Sequence, residues 1–174
     1  MSELFSIQLQ NRQQQGRDGV WLDLPTTTEQ VQAALRQIGI SSDNPQGLFI
    51  SGYFAEEEKR FAIPYNMVLA SNVDELNFLA SRLETLSTGE RAELNAALQA
   101  PQSELSSIGR ITDFPENVDY YVHLPDVRGP AQLGDYYLNR SGMVDMPDEW
   151  KGGIDMAQFG RYVAQQEQGV FTQY

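Results

Sequence analysis

The chain has 174 residues, 41% hydrophobic and 10% aromatic, a composition that is typical of folded protein and too apolar for a disordered acidic tail. Its 24 acidic residues against 12 basic ones give a net charge of -12, which disfavours direct nucleic-acid binding and favours a basic partner. The absence of cysteine excludes disulfide bonds, a thiol nucleophile and thiolate metal sites.

Residues 1–69 are predicted to form a small sheet with one helix. Alternating apolar side chains predict strands at residues 4–9 and 19–24, and the polar residues 13–17 between them predict the turn. A third strand is predicted at Leu48–Phe54. The first segment is therefore a β-rich module.

A helix is predicted directly after the second strand. Pro25 stops that strand, residues 26–28 are all threonine and offer helix caps, and Gly39 ends the helix. Its inward stripe is formed by apolar residues at helical spacing: Val31, Ala34, Leu35 and Ile38.

Residues 70–108 are predicted to form a second, helical module. Ser71 with Asp74 fits a capping box, and Ser87 with Glu90 repeats that start signal. The two helices that follow carry inward apolar stripes: Leu76, Leu79, Ala80 and Leu83 in the first, and Leu94, Ala97 and Leu98 in the second.

Residues 109–174 are predicted to form a third module of mixed class. Strands are predicted at residues 120–124 and 170–174, and helices at 132–141 and 155–165. The predicted fold class is thus α+β, an elongated chain of three small modules.

The negative charge is distributed along the whole chain. The net charges of the three predicted modules are -3, -4 and -5 in chain order. This distribution favours a continuous negative surface over one local acidic site. The alternative interpretation is that these carboxylates only keep a folded protein soluble.

A catalytic constellation is not recognisable in the sequence. The single histidine, His123, lies in a stretch rich in tyrosine and valine, where a histidine usually has a structural role. The chain also lacks the glycine-rich nucleotide-binding motifs. Four acids near the C-terminus do not have the spacing of a calcium loop: Asp145, Asp148, Glu149 and Asp155. We therefore expect no enzymatic activity, no cofactor and no metal, although a hydrolase with carboxylates in an unrecognised arrangement remains an alternative.

The location of the chain is predicted from the absence of targeting signals. Residues 1–25 contain no apolar signal-like stretch, and no apolar run approaches the roughly 20 residues that span a bilayer. The expectation is a cytoplasmic protein.

Five segments, in their order and spacing, resemble the ArdA-type antirestriction proteins. The likeness runs from Leu4 to Tyr174. The segments are residues 21–25 (WLDLP), 74–80 (DELNFLA, continuing to Leu83 and Leu86), 134–138 (GDYYL), 154–162 (IDMAQFGRY) and 169–171 (GVF).

The resemblance implies a homodimeric DNA mimic, carried by mobile genetic elements, that inhibits type I restriction-modification enzymes by imitating bent B-form DNA. It also implies that the region around residues 133–142 is similar to the antirestriction motif of the family. Asn139 and Arg140 depart from the acidic residues expected there. Four residues of this region are implied in the dimer contact, with packing inside the protomer as the alternative: Leu133, Tyr136, Tyr137 and Leu138.

The predicted functional groups are carboxylates that act together in place of DNA phosphates. The candidate acidic surface comprises Glu56, Glu57, Glu58, Asp74, Glu75, Glu84, Glu90, Glu93, Asp113, Glu116, Asp119, Asp126, Asp135, Asp145, Asp148 and Glu149. The predicted partner is the DNA-binding groove of a type I restriction-modification enzyme. An acidic adaptor for another basic protein is the alternative.

Overall fold

The structure, a computed structural model, describes these residues: 3–14, 18–101 and 103–174. The chain divides into two compact units. The first lies within Met1–Leu98 and Ser103–Tyr121, and the second lies within Gln99–Gln102 and Val122–Tyr174. Helices and an antiparallel sheet together confirm the α+β class. The division into three modules stays a prediction.

The three predicted N-terminal strands are present and form one antiparallel sheet. They are β1 (Phe5–Asn11), β2 (Val20–Leu24) and β3 (Leu48–Phe54), in the order β2-β1-β3. The predicted turn lies only partly within the described residues, because residues 15–17 fall outside them.

The register of this sheet places its apolar side chains on one face. Ile7 lies opposite Leu22, and Leu9 lies opposite Ile50 after a register shift at which β3 carries one extra residue, Ser51. All four side chains are buried, Ile7 and Leu9 completely. Since alternate residues of a strand face opposite sides, the polar positions between them lie on the other face of the sheet.

The helix α1 (Thr28–Gln37) covers part of this apolar surface through Val31 and Ala34. It begins with a capping box in which the Thr27 side chain accepts from the Gln30 backbone and the Gln30 side chain accepts from the Thr27 backbone. The predicted threonine cap is confirmed.

In the described part of the chain, five helices lie between the sheet and the second unit in sequence. They are α2 (Tyr65–Leu69), α3 (Val73–Glu84), α4 (Thr88–Gln99), α5 (Ile108–Thr112) and α6 (Phe114–Asn117). Their buried side chains join those of the sheet in one hydrophobic core. The completely buried members from these helices are Val68, Leu76, Leu79, Ala80, Leu83, Leu94 and Ile111.

The start signals of α3 and α4 have different outcomes. The capping box before α4 is confirmed, because Ser87 N–H donates to Glu90 Oε2 at 2.8 Å and Glu90 N–H donates to Ser87 Oγ at 3.3 Å. The cap predicted at Ser71 is wrong. Asn72 caps α3 by accepting from Glu75 N–H, whereas the Ser71 hydroxyl donates to the Met67 carbonyl at the end of α2.

The second unit is helical in its described part. Its elements are α7 (Pro130–Asp135), which continues into a π-helical turn (Tyr136–Arg140), α8 (Asp148–Lys151) and α9 (Met156–Gln166). The helices predicted at 132–141 and 155–165 are therefore confirmed. α7 and α9 cross closely through two buried glycines, Gly134 and Gly160.

The strands predicted at residues 120–124 and 170–174 are wrong. Val118–Tyr120 forms a 3-10 turn, and both predicted segments are irregular beyond it. Tyr120 and Val122 are 84% and 86% exposed. A run of β-branched and aromatic residues forms a strand only where a second strand offers backbone hydrogen-bond partners. In the described structure neither segment pairs with another strand.

Asn95 ties the loop before α2 to α4. Its buried side chain accepts from the Ala62 N–H at 2.7 Å and donates to the Arg60 carbonyl at 3.4 Å. We expect Asn95→Ala to lower the free energy of unfolding by about 1 to 3 kcal/mol, because the Ala62 donor loses its partner away from water. Urea denaturation measures this. Asn117→Ala, at an exposed asparagine, is the control and should cost less than about 0.5 kcal/mol; equal losses would contradict this role.

Candidate interaction surface

The carboxylates lie at the surface of both units. None of the 24 acidic side chains is buried. Of the sixteen predicted surface acids, eleven are exposed, and five are half-buried: Glu75, Glu84, Glu90, Glu93 and Asp135. Because ionised carboxylates are costly to remove from water, this distribution follows from solvation alone. It also makes all of them accessible to a partner.

Four predicted surface acids are partly neutralised by ion pairs within the described residues. Two pairs join neighbouring turns, Glu56 with Lys59 at 3.1 Å and Asp148 with Lys151 at 2.8 Å. Asp135 lies 3.4 Å from Arg140, and Glu116 lies 2.5 Å from Arg82 of α3. The Lys151 partner lowers the pKa of Asp148 through a hydrogen bond and its charge. These acids offer less charge to a partner than the others do.

Glu90 combines surface charge with a structural role. It caps α4, and hydrogen bonds from Ser87 lower the pKa of its carboxyl. Glu29, at the start of α1, is similar, since hydrogen bonds from its own backbone and from Thr27 lower its pKa. Both groups therefore stay ionised through the neutral range. Neutralising Glu90 would change helix capping as well as charge.

Exposed acids without an ion pair in the described structure occur in both units. Among the sixteen predicted acids they are Glu57, Glu58, Asp74, Asp113 and Asp119 in the first unit, and Asp126, Asp145 and Glu149 in the second. Each of these side chains is exposed, so a cationic groove can reach it. These residues form the strongest part of the candidate surface.

Several arginines are held against the chain's own aromatic rings. The guanidinium carbons of Arg12, Arg91 and Arg140 lie 5.3 to 5.6 Å from the ring centroids of Phe49, Phe61 and Tyr136, respectively. Arg128 donates to the Gln173 carbonyl at 2.9 Å. These four cations are thereby restrained in intramolecular contacts.

The predicted dimer residues lie on α7 and the π-helical turn. Leu133 and Leu138 are 8% and 2% exposed within the protomer, so they contribute to packing of the second unit itself. Tyr136 and Tyr137 are half-buried, and their rings meet edge to face at 5.7 Å. Partial burial raises the pKa of Tyr137. The tyrosines are the members of this set with surface left for a second copy.

The features that would accompany catalysis are sparse in the described structure. His123 is half-buried, with its Nε2 atom buried and without a hydrogen-bond partner. A small cavity of about 30 Å³, lined by Gln10, Asn11 and Asp18 among others, has room for about one water molecule. No described His, Asp and Glu side chains form a group of three that could hold a metal ion. None of the described helices has the length and apolar character needed to cross a membrane.

The sequence prediction omitted further exposed acids and an exposed aromatic residue. The acids are Glu3, Asp18, Asp23, Glu29, Asp43, Glu104, Asp155 and Glu167. One of several exposed aromatic residues is Phe78, which is 61% exposed on α3. Its position outside the apolar stripe of α3 was a signal available in the sequence.

The comparisons with known proteins identify a family. The family model described as antirestriction protein (ArdA) matches residues 15–174, nearly the whole chain. A search of curated proteins finds no significant match.

Proposed function

Since the chain belongs to the ArdA family of antirestriction proteins, we propose that it binds a type I restriction-modification enzyme and competes with DNA for its binding groove. In this function the carboxylates stand in place of DNA phosphates. The chain acts as a homodimer in the cytoplasm of a cell that has received a mobile genetic element, and it has no catalytic role of its own.

The observation that carries this proposal is that none of the acidic side chains is buried, together with the restraint of several cations. A groove that binds DNA presents lysine and arginine side chains to one negative charge per about 1.7 Å of duplex. Carboxylates held on folded units meet those side chains at little cost in ordering. They present no base edges and no phosphodiester bond, so the enzyme is occupied without a substrate.

The proposed dimer increases the length over which charge is presented. We propose that the three small modules extend along the groove and that the C-terminal one carries the contact between copies, through Tyr136 and Tyr137 supported by Leu133 and Leu138. An isologous contact would double the net charge to about -24, from -12 for each chain.

A restriction assay tests this function. Unmodified DNA is digested by a type I enzyme while the purified chain is titrated in at 50 mM and 200 mM salt. We expect inhibition at low salt that weakens by at least about ten-fold at high salt, because ionic contacts are screened. Added DNA should relieve the inhibition. Binding to the enzyme without loss of restriction would instead support the adaptor interpretation.

A further inference from the structure

Phe78 is an aromatic residue of α3 whose side chain is not part of the hydrophobic core. It lies in the middle of α3, whose Leu76, Leu79 and Leu83 are completely buried, yet its own side chain is 61% exposed. The helix is twelve residues long, capped at Asn72 and packed on its inner side. The phenyl ring is therefore presented to solvent from a rigid element.

The neighbours of Phe78 on this face are charged. Asp74 lies one turn earlier and is exposed, and Arg82 lies one turn later. Residues four apart on a helix have side chains within reach of each other. The ring thus stands between an exposed carboxylate and a guanidinium of the same chain.

Arg82 is held away from the ring by an ion pair. Its Nη2 atom donates to Glu116 Oε1 on α6 at 2.5 Å. Elsewhere in the described structure, arginines do cover aromatic rings, as Arg91 covers Phe61 at 5.3 Å. Phe78 has no such cation over it in the described residues. Because Arg82 is engaged by Glu116, its charge is partly neutralised, and it does not cover the Phe78 ring.

We propose that Phe78 and Asp74 form a docking point for a lysine or arginine side chain of the enzyme's DNA-binding groove. This inference rests on the proposed function. The cation approaches the ring face while its charge is met by the Asp74 carboxylate. A groove built for DNA supplies such side chains, and the charge of this helix face is complementary to them.

The two parts of the docking point differ in their response to salt. The carboxylate attracts from a distance and is screened by ions. The ring acts only at contact, through the face of its π system and through removal of apolar surface from water. Removal of Phe78 should therefore weaken inhibition similarly at low and high salt, whereas removal of Asp74 should weaken it mainly at low salt.

The first test is substitution of the ring in the full-length chain. We expect Phe78→Ala to raise the half-inhibitory concentration roughly five-fold at both salt concentrations. Phe78→Tyr should retain wild-type inhibition, because a phenol ring also attracts cations. Tyr65→Ala is the matched control. Tyr65 is 50% exposed on α2, no acidic residue lies within six positions of it in sequence, and its removal should have little effect.

A double-mutant cycle tests the role of Glu116. Glu116→Ala frees Arg82 to cover the ring, so it should weaken inhibition more than Asp113→Ala, which removes an exposed, unpaired carboxylate of the same segment. We expect roughly five-fold against two-fold. In a Phe78→Ala background the excess should disappear, because no ring remains to be covered.

The outcomes separate this inference from the proposed function. A wild-type chain that does not inhibit restriction would refute both. Inhibition by wild type that is unchanged in Phe78→Ala would refute the docking point alone, and so would a Glu116→Ala effect of equal size in the two backgrounds. A five-fold loss in Phe78→Ala with rescue by Phe78→Tyr would support it. Circular dichroism checks that every variant retains its helices.

Discussion

Neutralising five exposed and unpaired carboxylates is expected to raise the half-inhibitory concentration against a type I restriction enzyme by roughly thirty- to seventy-fold. The substitutions are Asp113→Asn, Asp119→Asn, Asp126→Asn, Asp145→Asn and Glu149→Gln, which change the net charge from -12 to -7. If each exposed ionic contact contributes roughly 0.5 kcal/mol, five contribute about 2.5 kcal/mol, which is nearly two decades of affinity.

The loss should accumulate stepwise and should depend on salt. Each substitution alone is expected to cost only about two-fold, since the carboxylates act as separate ionic contacts. The logarithm of the inhibitory concentration plotted against the logarithm of salt should become shallower as carboxylates are removed. Restriction assays at several salt concentrations measure both effects.

The matched control keeps the net charge while removing charged groups. Glu56→Gln with Lys59→Gln deletes a surface ion pair, so the chain loses one charge of each sign. We expect inhibition to remain within about two-fold of wild type. If one substitution of the five abolishes inhibition, the collective role is wrong, and an essential single carboxylate would favour the hydrolase alternative. Full inhibition by the quintuple variant would refute carboxylate mimicry.

Local signals predicted most of the regular structure. The alternating strands, the Thr27 cap and the Ser87 capping box each depend on residues within a few positions, and all were found. Four of the described helices were not predicted: α2, α5, α6 and α8. They are only four or five residues long, so buried side chains such as Ile108, Ile111 and Phe114 show no complete helical repeat.

Properties that depend on distant contacts were less accessible from the sequence. Composition indicated a negative surface, but the ion pair between Arg82 and Glu116 joins residues 34 positions apart. Glu56 and Asp148 each lie three residues before the lysine with which they pair, so these two ion pairs follow from helical spacing. Which carboxylates keep an unpaired charge therefore depends on the tertiary fold, and the same holds for the open ring of Phe78.

Gly160→Ala is expected to separate α7 from α9 and to unfold the second unit. A Cβ atom at Gly160 would lie 1.8 Å from the Pro130 carbonyl oxygen, and one at Gly134 would lie 2.1 Å from that of Met156. Both obstacles are backbone, so no side chain can move aside. Overpacking of this kind costs about 3 kcal/mol or more. Few apolar side chains of this unit are buried and could offset that loss. They include Leu133, Leu138 and Val163.

Amide hydrogen exchange of α7 and α9 measures the effect, with Gly152→Ala as the matched control. Gly152 has helical backbone angles and open space around an added Cβ, so its variant should exchange like wild type. If the C-terminal module carries the dimer contact, Gly160→Ala should also give monomers in sedimentation and weaken inhibition, since charge would be presented over a shorter length. Protected amides in α7 and α9 would contradict the close crossing. Loss of protection with an intact dimer would place the contact between copies elsewhere in the chain.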